Sequence, residues 1–201
     1  MTMKVALVLL VALSAPTQAQ VRATTSDGRV VVLYSDGTWK PDQLSAVAKP
    51  LVSTRPAKAT EKLDILRGKA TVYYDPAAWQ ITKSDDPNRI TLAHANGDGY
   101  AMLIAERLEM SMDALRRMAL KNAQAAAPNA SIIGERNRLV NGKNVLELEI
   151  RGTLDGVDFA YLGYYYSSTA GTIQFITYTS SNLIAEYRPT FQELLNGLVV
   201  P

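Results

Sequence analysis

The chain has no cysteine, one histidine, two tryptophans and three phenylalanines in 201 residues. Each shortage closes a class of function. Without cysteine there is no disulfide, no thiol nucleophile, no thiolate metal site and no lipid anchor at an export cleavage site. A single histidine, His94, cannot build a multi-histidine metal centre. It is also the only histidine base on offer for a serine triad, and no Gly-x-Ser-x-Gly elbow accompanies it. The formal charge of +2 is too small to point to a nucleic-acid partner. The N-terminal apolar run, Val5 to Ala15, is too short to span a bilayer.

What is present is tyrosine, ten in all. Several stand together in an aromatic strand, Phe159-Ala-Tyr-Leu-Gly-Tyr-Tyr-Tyr166. A turn with Gly171 follows, then a second apolar strand, Thr172 to Thr179. Phe191, Leu194, Leu195 and Leu198 fall at i, i+3, i+4 and i+7, the stripe of a closing helix. Two strands and an apolar helix face form a folding nucleus, and the rest of the chain is arranged around it.

The N-terminus reads as a secretory signal peptide over residues 1–19. Lys4 supplies the positive region, Val5 to Ala15 the apolar one, and small residues precede a cut after Ala19. The mature chain is then periplasmic or secreted, with no stable membrane insertion after cleavage. Residues 20–40 read as a small β-hairpin segment: Asp27-Gly28 and Asp36-Gly37 flank a β-branched run, and Asp-Gly supplies the positive φ of tight turns. This "DGR…V.L..DGTW" stretch resembles a segment near the start of many exported bacterial proteins. Residues 41–62, with Pro41, Pro50 and Pro56 among small and basic residues, read as a linker.

The main domain is expected over residues 63–201. Ala70–Tyr74, Trp79–Thr82, Ile90–His94 and Tyr100–Glu106 read as strands, with a turn at Asn96-Gly97-Asp98-Gly99. Ser111 reads as the N-cap of a helix with Asp113 in its first turn and a buried stripe of Met112, Leu115, Met118, Ala119 and Ala123. That helix stops before Pro128. Asn141-Gly142 is a type I′ turn signal between strands Ile132–Val140 and Val145–Leu154. The fold class is α+β: an antiparallel sheet with packed helices, preceded by the small hairpin.

Element order and a few anchors resemble the PsbP/Mog-like superfamily over about residues 63–200. The anchors are Tyr74-Asp75-Pro76 with Trp79, the mid-chain helix, Asn141-Gly142-Lys143, the tyrosine-rich strand and the closing Phe191, Leu194, Leu195, Leu198 helix. The resemblance implies an accessory or binding protein without a shared catalytic motif. It implies no cofactor.

Two-residue turns at Asn141-Gly142 and Asp155-Gly156 fix the strand register by counting. Arg136 then faces Glu147, Glu147 faces Tyr164, Leu162 faces Glu149 and Tyr166 faces Val145. One face collects Arg136, Arg138, Glu147, Glu149, Arg151, Tyr164 and Tyr166. The other collects Leu146, Leu148, Ile150, Phe159, Tyr161 and Tyr165 and should be core. Cross-strand pairing accounts for the charged face as an ordinary solvated surface. Its mix of Tyr and Arg also suits recognition, so Arg136, Glu147, Arg151, Tyr164 and Tyr166 are the candidate binding residues.

No metal-ligand set emerges. Asn96-Gly-Asp-Gly99 has too few oxygen ligands for a calcium loop and reads as a hairpin turn. Two functions remain: an exported, non-catalytic accessory or binding protein for a protein or small ligand, or a small hydrolase using Asp75, Asp86 or Asp98.

Overall fold

The computed structural model describes residues 21–24, 30–41, 51–82 and 89–201. The expected signal peptide, the Asp27-Gly28 and Asp86 turns, and the linker from residue 42 to residue 50 lie outside these. The chain divides into two compact units, Met1–Lys49 and Pro50–Pro201.

The first unit holds a three-stranded antiparallel sheet of β1 (Val21–Thr24), β2 (Val30–Leu33) and β3 (Trp39–Pro41) in that order. Asp36-Gly37 makes the β2–β3 turn, with Gly37 at φ 80°. The Asp36 carboxylate accepts from both the amide and the hydroxyl of Thr38, which holds its pKa below the usual range.

The second unit begins earlier than expected, and residues 51–62 are not a linker. β4 (Leu51–Ser53) pairs in parallel with the edge of the main sheet, and β5 (Glu61–Ile65) pairs with β6 (Ala70–Tyr74). Leu51 and Val52 remain half exposed or more, so this three-residue strand has no apolar period to betray it. The remaining strands are β7 (Trp79–Thr82), β8 (Arg89–His94), β9 (Tyr100–Glu106), β10 (Ser131–Val140), β11 (Lys143–Leu154), β12 (Val157–Ser168), β13 (Gly171–Ser180) and β14 (Leu198–Val199). The main sheet has eight strands, ordered β4-β10-β11-β12-β13-β9-β8-β7, antiparallel except at β4. β14, β6 and β5 form a separate small sheet.

The tight turns drive this layout. Asn141 and Gly142 sit at φ 48° and 82°, and Asp155 and Gly156 at 51° and 81°. Positive φ at both central residues matches the twist of the flanking strands, so each hairpin closes in two residues. The counted register follows: Arg136 pairs with Glu147, Glu147 with Tyr164 and Glu149 with Leu162.

Helix α1 (Met112–Ala126) is capped by the Ser111 hydroxyl, which accepts from the Ala114 amide. Leu115, Ala119 and Ala123 are its buried residues, while Met112 stays exposed. It packs on one face of the sheet with Leu146, Leu148, Ile150, Phe159 and Tyr165. Helix α2 (Ile184–Leu195) packs on the opposite face, with the small sheet beside it. Phe191 lies at the centre, fully buried against the rings of Trp79 and Tyr187.

Leu198 does not belong to that helix. The helix ends at Leu195, and Gly197 comes so close to β6 that any Cβ there would overlap the Tyr73 carbonyl. The Tyr73 amide donates to the Gly197 carbonyl at 2.9 Å, and Leu198 enters the core from a strand instead. Spacing i+7 from Phe191 fits the helical stripe, so the stripe alone gave no sign that Leu198 lies beyond the helix end.

Candidate functional site

The face expected to be open is closed. Tyr164 has no exposed surface and Glu147 only 1%. Tyr164 belongs to the core with Phe191, Leu194 and Leu195 of α2, and its hydroxyl donates to Asn196 Oδ1 at 2.9 Å. Burial, the main cause, pushes its pKa far up. Tyr166 is half-buried, its hydroxyl donating to the Pro201 carbonyl.

The charges on this face are paired rather than solvated. Arg138, itself buried, donates to Glu147 at 2.5 Å and lies 5.7 Å from the Tyr164 ring centre. Arg136 Nε comes within 2.8 Å of Glu147 Oε1. That contact pairs charge without hydrogen-bond geometry, since Oε1 has no hydrogen-bond partner. Glu149 is held by Arg151 at 2.9 Å and by Arg188 of α2 at 2.7 Å. Burial raises the Glu149 carboxyl, but these two hydrogen bonds outweigh it and leave the pKa below the ordinary value. Of the five candidate binding residues, the structure brings Arg136, Glu147 and Tyr164 together, yet only Arg136, Arg151 and part of Tyr166 reach the surface. The alternation of charge was read as exposure; it arises because a buried carboxylate between two arginines satisfies the same pattern.

The aspartates do not gather. Asp75 holds its own turn, accepting from the Ala77 amide, and borders a dent of about 20 Å³, room for one water at most. The Asp98 carbonyl accepts from the Thr179 hydroxyl at 2.7 Å. His94 stands between the rings of Trp79 and Tyr187, at 5.1 and 5.5 Å, and its Nδ1 accepts from the Asn96 amide. Among the described residues no three His, Asp or Glu side chains converge.

The opposite face, expected to be core throughout, is the one left open. α1 packs chiefly on β10, β11 and β12. Its sheet-facing and C-terminal positions are small: Ala119, Ala123, Ala125 and Ala126. A groove of about 400 Å³ remains between the helix and the sheet, the size of a small-molecule site. Met102, Ile104, Ile150 and Ile176 line it with the alanines, and Arg89 and Asn122 stand at the helix and strand margins.

Besides these two, its polar lining is Tyr161, Tyr165 and Gln174. Tyr165 and Gln174 are cross-strand partners on β12 and β13, 1% and 3% exposed. The Tyr165 ring leans over Gly163, where a Cβ would come within 2.9 Å of it, so glycine is what lets the ring lie down. No described residue hydrogen-bonds to either side chain. Burial first, then Tyr161, raises the Tyr165 pKa far beyond the physiological range, and the hydroxyl stays a donor. Beyond the groove an aromatic row crosses the sheet: Phe159–Tyr161 at 4.5 Å, Tyr161–Tyr178 at 5.7 Å and Tyr178–Tyr100 at 5.4 Å.

Gln174, Asn122 and Arg89 carried no functional weight in the sequence, and Tyr161 and Tyr165 were assigned to the core. A signal was there: one glutamine in a strand otherwise of apolar, hydroxyl and tyrosine residues, and an alanine-rich helix end.

Solved structures share this architecture. PsbP (CyanoP) from Synechocystis sp. PCC 6803 superposes with TM-score 0.55 over 73% of this chain and 95% of its own, at 14% identity. The chain has the PsbP/Mog-like fold. The Ran-binding protein Mog1p of Saccharomyces cerevisiae superposes with TM-score 0.50 over 70% of this chain and 94% of its own, at 6% identity. At such identities the PsbP/Mog-like likeness is one of fold alone. No family model matches the chain, and no curated protein matches it in sequence.

Proposed function

We propose that this is an exported, non-catalytic binding or accessory protein, periplasmic or secreted after loss of residues 1–19, that takes its ligand in the groove between α1 and the sheet. One observation carries the reading: a groove of about 400 Å³ with largely apolar walls, lined also by Tyr165 and Gln174. Apolar walls with a few placed polar groups are what small-molecule sites have in common. Lys4, the run Val5–Ala15 and Ala19 support export. The fold is consistent with a binding role, since one protein that shares it is described as Ran-binding. Among the described residues no helix is long and apolar enough to cross a membrane.

Native mass spectrometry of protein recovered from its own compartment tests both halves. The mature chain should begin at Gln20 and carry a small-molecule adduct. Asn122→Trp, which fills the groove from an exposed helix position, should remove the adduct. A chain that retains residues 1–19 would overturn export, and an adduct indifferent to Asn122→Trp would overturn the groove.

A further inference from the structure

The β5–β6 turn breaks a local rule. Leu66 and Arg67 sit at φ 51° and 57°, ahead of Gly68 at 77°, and the Gly68 amide donates to the Ile65 carbonyl at 3.0 Å. Asn, Asp and Gly are the usual occupants of such a turn, and a leucine and an arginine stay there only if their surroundings hold them. Leu66 is buried in the core that contains Phe191. Gly171 brings the β12–β13 turn against it: a Cβ there would overlap the Glu106 carbonyl and come within 3.0 Å of Leu66 and 3.2 Å of the Arg107 Cα. The Thr172 hydroxyl donates to the Leu108 carbonyl, and the Met110 amide donates to the Ser167 hydroxyl at 3.0 Å, so the chain leaving β9 is fixed as well.

These two fixed segments border a pocket of about 230 Å³. Its floor is apolar: Ile65, Leu66, Ile90, Leu103 and Ala105. It shares no residue with the groove under α1, because Leu103 and Ala105 alternate along β9 with Met102 and Ile104. Arg67 and Arg107 line it from exposed positions, and among the described residues neither has a hydrogen-bond or ion-pair partner. The one carboxylate of the lining, Asp64, is already engaged by Lys62 at 3.0 Å and by the Thr71 hydroxyl at 2.9 Å. Two unpaired cations thus share a pocket with an apolar floor. An engineered apolar cavity of about 150 Å³ takes a benzene, so this one has room for a ring and a short chain. In a space of this size an anion lies within about one Debye length of both guanidinium groups. We infer that this pocket is a second ligand site, for a small apolar carboxylate. An ammonium group would be repelled by both arginines, and a sugar would leave its hydroxyls without partners on the floor.

The test compares 3-phenylpropanoate with its neutral amide, 3-phenylpropanamide, which has nearly the same shape. Binding to the mature protein is followed by two-dimensional NMR of the backbone amides. In low salt the acid should bind about tenfold more tightly than the amide, the worth of one charge-assisted hydrogen bond. It should shift the amides of Leu66, Arg67, Gly68 and Arg107. In Arg67→Met/Arg107→Met the preference should disappear while the melting temperature stays unchanged, since both side chains are exposed and unpaired. Arg107→Met alone should lower the preference part-way. In Asn122→Trp, which blocks the groove, the acid should bind as before. No binding of the acid, equal binding of acid and amide, or a preference that survives the loss of both arginines would overturn the inference. Binding lost in Asn122→Trp would put the acid in the groove and overturn it too. Inorganic phosphate that binds as tightly as the acid would overturn the role of the apolar floor.

Discussion

The two faces of the eight-stranded sheet differ in how they meet their helix. Under α2 the sheet carries Arg138, Glu147 and Glu149, yet it is closed over them, and each of these carboxylates has arginines against it. Under α1 the sheet is mostly apolar, yet it is the face left open, because the helix end is built of alanines too small to fill the space. Hydrophobicity alone therefore ranks the two faces the wrong way round. Closure depends on volume and on whether polar groups find partners, not on polarity.

The comparison is broken most severely at the centre of the face under α2. Phe191→Ala removes a fully buried ring between Trp79 and Tyr187, a loss of about 3–5 kcal/mol. For a unit of this size a fall in Tm of about 10 °C or more is expected by calorimetry. An unchanged Tm would mean α2 does not hold the sheet as described.

Next in size is the buried charge. Glu147→Leu strands the Arg138 guanidinium without its partner and should cost about 3–5 kcal/mol in urea unfolding. Arg138→Met added to it should recover most of that, since two apolar side chains then meet. A double variant as weak as the single one would show that the loss comes from packing and not from the stranded charge.

A smaller effect is read by pH. The Glu149 carboxyl is held below its ordinary value of 4.5 by Arg188 and Arg151 in the folded state. Its contribution is thus complete above the unfolded pKa and is lost as pH falls through the folded one. Unfolding free energy should drop as pH falls below the ordinary carboxylate value of 4.5, and drop less in Glu149→Gln. Parallel curves for the two proteins would detach α2 from this ion pair.

On the open face the expected stability effect is least. Asn122→Trp sits at an exposed position, so its unfolding free energy should stay within about 0.5 kcal/mol of the original. A large loss would mean the groove collapses when filled, and that the face is less open than its geometry shows.

These contrasts set what could be read from the residues. Strand register was legible, because Asn141-Gly142 and Asp155-Gly156 admit one kind of turn and alternation does the rest. The α1 cap was legible from Ser111 and Asp113. The burial of Arg138 and Glu147 was not, since a period of two fixes which side chains share a face but not what lies over it. Nor was β4, whose three residues complete a ladder through backbone groups rather than through their exposed side chains. The groove escaped for the same reason: it is a gap between elements far apart in sequence, and only the small residues of α1 and the lone Gln174 hinted at it.

Asn141 links three distant segments. Its carboxamide oxygen accepts from the Arg55 amide, and its nitrogen donates to the carbonyls of Asn196 and Leu198. The tip of one hairpin thus clasps residues near both limits of the second unit. Contacts of such long sequence separation close large loops before they repay any entropy, and they slow folding. During synthesis, the hairpin tip waits for a partner segment made more than fifty residues later. These contacts of the hairpin tip can form only once the last strand has been made.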